Sequence, residues 1–365
     1  MIKALDFPTD AQATLTVNLK AIVDNYKRCR ALAGGTDCAA MVKADAYGMG
    51  IEQVAPVLYH KAGCRIFFVA NLTEAITLRS FVPESTIYVL NGFFPGHGEY
   101  FTRHNIRPVL NDLDQIRLWA EMTPEARPPC AVHFDTGINR LGLTPAETDL
   151  FIKDIALRSQ LDIALVMSHL ACSDDRLNPL NARQLADFTA ITRHFPDIPA
   201  SLANSGGILL GPDYHFDLVR PGLLMFGGNP GKHTIPERIR PAFRITGKIL
   251  QIRQLETGQS VGYGSTWTAD RPCHIATINI GYADGYLQVF NNCGQAFAKG
   301  TLLPIVGRVS MDMIAVDVTD IEIGTGSDVE LLGEHITLEM ASEVSTLSQY
   351  EILTGVRERY QRIYK

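Results

Sequence analysis

The chain has 365 residues, of which 46% are hydrophobic and 20% charged, with a formal net charge of -6. That length is enough for a sizeable core and, at about 150 residues per domain, favours two domains over one. Charges of both signs are interspersed, without a basic arm or acidic tail, so neither nucleic acid nor an anionic membrane is the expected main partner. The amino terminus, Met1 to Thr9, lacks the apolar segment of a signal peptide. No later apolar run approaches the roughly 20 residues that span a bilayer. The seven cysteines, Cys29, Cys38, Cys64, Cys130, Cys172, Cys273 and Cys293, form no Cys-x-x-Cys pair. They read as reduced thiols of a cytoplasmic protein, and no metal site is expected.

Taken in chain order, the first candidate strand is Ala13 to Val17. From residue 38 to about 228, short β-rich runs alternate with amphipathic stretches. The strands read Cys38 to Lys43, Arg65 to Ala70, Thr86 to Leu90, Ile106 to Leu110, Cys130 to Phe134, Ile163 to His169, Ala200 to Asn204 and Leu218 to Arg220. Helical patterns between them include Glu52 to Ala62, Thr73 to Phe81, Asp112 to Met122, Pro145 to Ser159 and Asn181 to Phe195. Eight βα repeats predict an α/β architecture, a (β/α)8 TIM-type barrel. A doubly wound open sheet is the competing fold, but its Gly-x-Gly-x-x-Gly turn is missing after the first strand.

After Arg240-Pro241 the pattern becomes β-rich, with candidates Phe243 to Gln254, His274 to Ile280, Leu302 to Val306, Met311 to Val318 and Val329 to Leu332. Glu339 to Tyr364 reads as closing helical structure. The expected organisation is a barrel over residues 19–238 and a mostly β domain over 239–365, joined by the strand in 1–18.

A β/α barrel carries its site at the carboxyl ends of its strands. Lys43 lies inside an apolar strand that ends in Met41-Val-Lys-Ala-Asp-Ala-Tyr-Gly-Met-Gly50. A lysine desolvated there loses proton affinity and forms Schiff bases with carbonyls or pyridoxal phosphate, although a strand-end lysine also commonly just reaches water. Strand five ends in His133-Phe-Asp-Thr-Gly-Ile-Asn-Arg-Leu-Gly142, strand six at Ser168-His169 and strand seven in Ala203-Asn-Ser-Gly-Gly207. Strand eight runs into Val219-Arg-Pro-Gly222. The loops after strands seven and eight commonly hold a phosphate in such barrels, and Ser205 and Gly222 suit that task. Lysine, phosphate cradle and Arg220 together read as a pyridoxal-phosphate site. In the β-rich part, Tyr263 and Tyr282 each sit in glycine turns, Gly262-Tyr-Gly264 and Gly281-Tyr-Ala-Asp-Gly285, beside a compact Gly307-Arg-Val-Ser-Met-Asp-Met313.

Val-Lys-Ala-Asp-Ala-Tyr-Gly, Asn-Arg-Leu-Gly, Ser-His, Asn-Ser, Arg-Pro-Gly, Gly-Tyr-Gly, Gly-Tyr-Ala-Asp-Gly and Ser-Met-Asp follow in that order. The series resembles the alanine racemases, fold-type III pyridoxal-phosphate enzymes. The resemblance implies pyridoxal 5'-phosphate as cofactor, an amino acid as substrate and a head-to-tail homodimer with shared sites. It makes Lys43 the cofactor lysine and the base for D-alanine, and Tyr263 of the partner subunit the base for L-alanine. Tyr47, Ser205, Gly222 and Leu223 fall at phosphate-holding positions, with Asn204 adjoining them. Arg220 falls against the pyridine nitrogen, with His169 near it. Arg140 falls where the family contacts the cofactor's phenolic oxygen and the substrate carboxylate, and Tyr282, Met311 and Asp312 fall at the substrate entrance.

The implied activity is interconversion of L- and D-alanine, for peptidoglycan or for catabolism. Two departures stand out: His133 replaces the lysine that in many members orients the Arg140 equivalent, and Glu358 aligns with a phosphate-binding tyrosine, leaving Tyr360 or Tyr364 as substitutes. The alternatives are an amino-acid decarboxylase of the same barrel type, a serine racemase or a non-catalytic pyridoxal-phosphate carrier. Arg220 speaks against the first, because decarboxylases usually present a glutamate there, and the β-rich part with Tyr263 speaks against the last.

Overall fold

A computed structural model describes residues 13–124, 127–231, 235 and 239–365. The amino-terminal stretch read above, Met1 to Thr9, and the expected boundary residue 238 lie outside them. The chain divides into two compact units, Ile22–Arg240 and a second made of Pro241–Lys365 with the segment ending at Ala21. β1 (Thr14–Val17) therefore groups with the carboxyl-terminal unit, and α1 (Leu19–Leu32) follows it.

In the first unit, β2 (Asp37–Cys38) and β3 (Ala40–Met41) are one strand interrupted at Ala39. They are followed by β4 (Ile66–Val69), β5 (Thr86–Val89), β6 (Arg107–Leu110), β7 (Cys130–His133), β8 (Ile163–Met167) and β9 (Ala200–Ser201). From β3 to β9 these make one parallel sheet in sequence order. β10 (Leu218–Val219) pairs in parallel with β2. On its other side the Asp217 and Arg220 amides donate to the carbonyls of Ala200 and Ala203 at 3.0 and 2.9 Å, which completes the barrel. Strands covered on both faces read as unbroken apolar runs, as in fully buried Cys130–His133.

Helices return the chain between strands: α2 (Lys43–Tyr47), α3 (Ile51–Lys61), α4 (Leu72–Phe81), α5 (Gly98–Arg103), α6 (Leu113–Ala120), α7 (Pro145–Lys153), α8 (Ile155–Ser159), α9 (Pro179–Thr192) and α10 (Ser205–Leu210). Several of their starts are capped by side chains: Asn71 accepts from the Glu74 amide, Asp112 from Gln115, and Thr144 with Glu147 forms a full capping box. The single helix expected from Pro145 to Ser159 is broken at Asp154, whose side chain accepts from the Leu157 amide and starts α8.

The second unit is an eight-stranded sheet of β1, β11 (Phe243–Leu255), β14 (Cys273–Ile278), β15 (Gln295–Ala298), β16 (Thr301–Val306), β17 (Ile314–Asp317), β18 (Asp328–Leu332) and β19 (Gln361–Tyr364), with β12 (Ser260–Val261) and β13 (Trp267–Thr268) as a separate hairpin. Its strands alternate buried and open positions, as one-sided sheets do. β1 lies antiparallel to β11 and parallel to β19.

The last strand corrects the expected closing helix. α11 (Leu338–Ser345) and α12 (Gln349–Thr354) end at residue 354, and Gln361–Tyr364 is drawn into the sheet by the open edge of β1. Among the described residues no helix is long and apolar enough to cross a membrane, and no cluster of three or more His, Cys, Asp or Glu is placed to hold a metal. Cys29, Cys38, Cys64, Cys130 and Cys273 are buried and pack as small apolar groups.

Candidate active site

The first strand ends two residues earlier than its apolar pattern suggests, at Met41, and Lys43 opens a turn wound left-handed. Ala44, Asp45, Ala46 and Tyr47 all have φ between 52° and 57°. Each such non-glycine residue costs about 1–2 kcal/mol, so the surroundings must hold the turn. The Gly48 amide donates to Ala44 O at 2.8 Å and the Ala46 amide to Val42 O at 2.9 Å. Asp45 Oδ1 accepts from the Ile51 amide at 2.7 Å, and Glu74 Oε1 from the Ala44 amide at 2.8 Å. The Tyr47 ring stacks on Phe226, with centroids 4.9 Å apart. Burial lowers the proton affinity of the Lys43 amine, Arg140 lowers it further and Glu74 opposes them.

At the end of β7, His133 is buried and its Nδ1 lies 2.8 Å from Asn111 Oδ1. Asn111 Nδ2 donates to the carbonyls of Leu90 and Val109, which fixes the amide so that its oxygen faces the imidazole. His133 therefore carries its proton on Nδ1, and its buried Nε2 has no partner. Asp135 Oδ1 accepts from the amides of Gly137, Ile138 and Asn139, fixing the loop that ends in exposed Arg140.

After β8, Ser168 Oγ lies 2.7 Å from Thr136 Oγ1, and His169 Nδ1 lies 3.5 Å from Arg220 Nη2. Arg220 is 1% exposed. Its Nη2 donates to Ser168 O at 2.7 Å, its Nη1 contacts Ser201 Oγ, and its Nε is buried without a partner. Burial brings this guanidinium down to about 9, so it stays charged at neutral pH.

Asn204 caps α10 by accepting from the Gly207 amide, and Ser205 Oγ accepts from the Gly222 and Leu224 amides at 2.9 and 3.3 Å. A side chain at Gly222 has no room, because its Cβ would lie 2.2 Å from Tyr47 Oη. Tyr47, Ser205, Gly222 and Leu223 are thus drawn together from three loops at one end of the barrel, the end at which Lys43, His169 and Arg220 also stand.

The two histidines make the unit acid-sensitive. Burial, reinforced by Arg220, holds His133 down to about 3 and His169 well below its ordinary value of 6.5. Between pH 6.5 and about 3 the unfolded chain takes protons that the folded one refuses, so stability falls as pH falls. The slope is about 1.4 kcal/mol per pH unit for each histidine. Urea unfolding of the apoprotein is expected to show a lower midpoint at pH 5 than at pH 7, and His133→Asn to flatten that difference; equal midpoints for the unsubstituted protein contradict the assignment.

The remaining predicted residues lie in the second unit. Tyr263 stands in a short 3-10 turn, Tyr263–Ser265, between Gly262 (φ 75°) and Gly264 (φ 71°), and is 72% exposed. The Tyr282 and Ala283 amides donate to the carbonyls of Ser310 and Met311, each at 3.0 Å, so the Gly281–Gly285 turn interlocks with the Gly307–Met313 segment. Arg359 ties them further, with Nε 3.2 Å from Asp284 Oδ1 and Nη1 2.8 Å from Asp312 Oδ1. Tyr360 is buried, among Ile245, Tyr286 and Leu332, and burial pushes its phenol up. Tyr364 is tied into β19 opposite Val17.

Sequence reasoning missed Asn111, Ser201 and Glu74. The Asn71-x-x-Glu74 spacing was the available signal for Glu74, since it is that of a helix start.

A β/α barrel with a lysine after its first strand and an arginine buried at its last, followed by a separate β unit, places the chain among two-unit barrel proteins. The chain belongs to the alanine racemase family: the model of the alanine racemase N-terminal domain matches residues 17–230 and that of the C-terminal domain residues 242–364. It is 44% identical over 372 residues to the alanine racemase of Brucella abortus, covering 97% of this chain and 94% of that protein. The crystal structure of alanine racemase from Bartonella henselae with covalently bound pyridoxal phosphate aligns with a TM-score of 0.92 at 39% identity, over 97% of this chain and all of that one. The biosynthetic alanine racemase of Pseudomonas aeruginosa aligns with a TM-score of 0.89 at 32% identity, over 97% and 99%.

Proposed function

We infer that this chain interconverts L- and D-alanine with pyridoxal phosphate. The observation that carries the reading is the Lys43 amine, held on a strained turn at the same barrel end as the Ser205–Gly222 contact and the buried Arg220. The residues there fit the cofactor chemically. An amine meets its aldehyde, the loops of Ser205, Gly222 and Leu223 with the Tyr47 hydroxyl suit its phosphate, and the unpartnered Nε of Arg220 suits its ring nitrogen.

When bound, pyridoxal phosphate supplies an electron sink that acidifies the substrate's Cα proton. Arg220, already charged, disfavours a proton on the ring nitrogen, which keeps that sink shallow and limits competing reactions. Racemisation needs a proton removed from one face of Cα and another delivered to the opposite face, hence two groups. Lys43 serves the D-alanine face, and burial, by lowering its proton affinity, readies it as a base. Tyr263 of the partner subunit serves the L-alanine face; its exposure on a single chain leaves it open to a second copy.

Arg140 receives the substrate carboxylate, and Tyr282, Met311 and Asp312 bound the entrance. His169, neutral and beside Arg220, orients that arginine. In this reading the protein is a cytoplasmic head-to-tail homodimer whose D-alanine serves peptidoglycan or whose activity feeds catabolism. Strictness for alanine over serine is set by how weakly a single added hydroxyl is discriminated, so serine is the expected secondary substrate.

Chiral chromatography of L-alanine incubated with the protein and pyridoxal phosphate tests the reading. Both enantiomers are expected, approaching equal amounts; release of carbon dioxide and ethylamine instead makes the chain a decarboxylase.

A further inference from the structure

Among the described residues, three helices carry a glutamate at their third residue, three positions after the capping side chain. In α7 and α12 that glutamate, Glu147 or Glu351, reaches back to its own cap, Thr144 or Ser348. In α4 the same spacing is used differently. Asn71 still accepts from the Glu74 amide, but the Glu74 carboxylate turns to two other donors. Oε2 accepts from the Ala70 amide at the end of β4, and Oε1 from the Ala44 amide in the neighbouring loop, both at 2.8 Å.

We propose that Glu74 is a positioning residue for the reaction, clamping the left-handed turn behind Lys43 to the end of β4 and setting where the Lys43 amine stands. The proposal rests on Lys43 being the cofactor lysine. Ala44 is the first of the four left-handed residues, so the amide that Glu74 holds is where the chain leaves ordinary backbone geometry. A carboxylate accepting two amide bonds is a stronger tie than a neutral acceptor. Glu74 also acts by charge: of the charged groups acting on Lys43, Arg140 lowers its proton affinity and Glu74 raises it. His169 stands close enough to be affected by Lys43 in turn.

Two variants separate the clamp from the charge. Glu74→Gln keeps the length and one acceptor oxygen but removes the charge, whereas Glu74→Asp keeps the charge but is one methylene too short to span Ala70 and Ala44. In the apoprotein, trace acetylation of Lys43 read by mass spectrometry against pH gives its titration midpoint, and hydrogen exchange reads the amides of residues 44–48. Glu74→Gln is expected to move the Lys43 midpoint to lower pH. Glu74→Asp is expected to speed exchange at residues 44–48 about tenfold without lowering the midpoint. Both are expected to weaken pyridoxal phosphate binding about tenfold.

A glutamate that does not hold the turn predicts unaltered exchange at residues 44–48 in Glu74→Asp, and this result overturns the proposal. So does a pair of variants matching the unsubstituted protein within twofold in exchange and cofactor affinity. Borohydride trapping of pyridoxal phosphate on the unsubstituted protein is the separate control. If no label falls on Lys43, the reading of the site fails, while the midpoint and exchange measurements still decide whether Glu74 clamps the turn.

Discussion

Lys43→Ala is expected to lower racemisation below about one part in ten thousand of the original rate, because in the proposed mechanism it removes both the cofactor's attachment and one of the two proton carriers. The loss should be chemical and not structural. Lys43 is half-buried, with its ammonium disfavoured by burial and by Arg140. Its removal therefore relieves an unfavourable charge, and the thermal midpoint should hold or rise slightly. Borohydride treatment with pyridoxal phosphate should label Lys43 in the original protein and leave that position unlabelled in the variant. A small primary amine added to Lys43→Ala should restore a little activity, since it can take over the attachment but not the positioning. A variant that still traps the cofactor at the native site contradicts the assignment.

The second large effect is expected from Tyr263→Phe, which deletes one hydroxyl from an exposed turn in the second unit. Loss of a single acid/base group costs roughly 100- to 10,000-fold, and racemisation should fall by about that much in both directions, because each turnover needs both faces. Proton exchange should fall unequally. With D-alanine in deuterated water, Lys43 still removes the α-proton and returns deuterium to the same face, so exchange without inversion should persist. With L-alanine, exchange should be nearly lost. Full activity of Tyr263→Phe in both directions sinks the two-base account. Equal loss of exchange from both enantiomers points to a Tyr263 role in binding and away from one face.

Much of this organisation is written in the sequence for physical reasons that can be named. Parallel strands such as Ile66–Val69 and Cys130–His133 are covered on both faces, so they stand out as apolar runs, and the strands of the second unit alternate because one side is open. Thr144-x-x-Glu147 announces a helix start and makes one.

The left-handed turn after Lys43 was not legible: positions 44–47 hold Ala-Asp-Ala-Tyr, with no glycine to signal positive φ, and the conformation is held by contacts with distant residues, Glu74 to the Ala44 amide and Phe226 against Tyr47, and by Asp45 accepting from the Ile51 amide. For the same reason the strand appeared to run on to Lys43 when it stops at Met41. Gln361–Tyr364 carries too little pattern in four residues to announce a strand, and pairing with β1 decides it. The tie between the Tyr282–Asp284 turn, the Ser310–Asp312 segment and Arg359 likewise joins three segments distant in sequence, and spacing cannot reveal it.

The central claim is that this chain moves the α-proton of alanine between opposite faces. Proton NMR of L-alanine incubated in deuterated water with the protein and pyridoxal phosphate, followed by chiral analysis of the same sample, tests it most directly. The account predicts loss of the Cα-proton signal together with the appearance of D-alanine carrying deuterium. An unchanged Cα-proton signal and a single enantiomer, with cofactor demonstrably bound at Lys43, would contradict it.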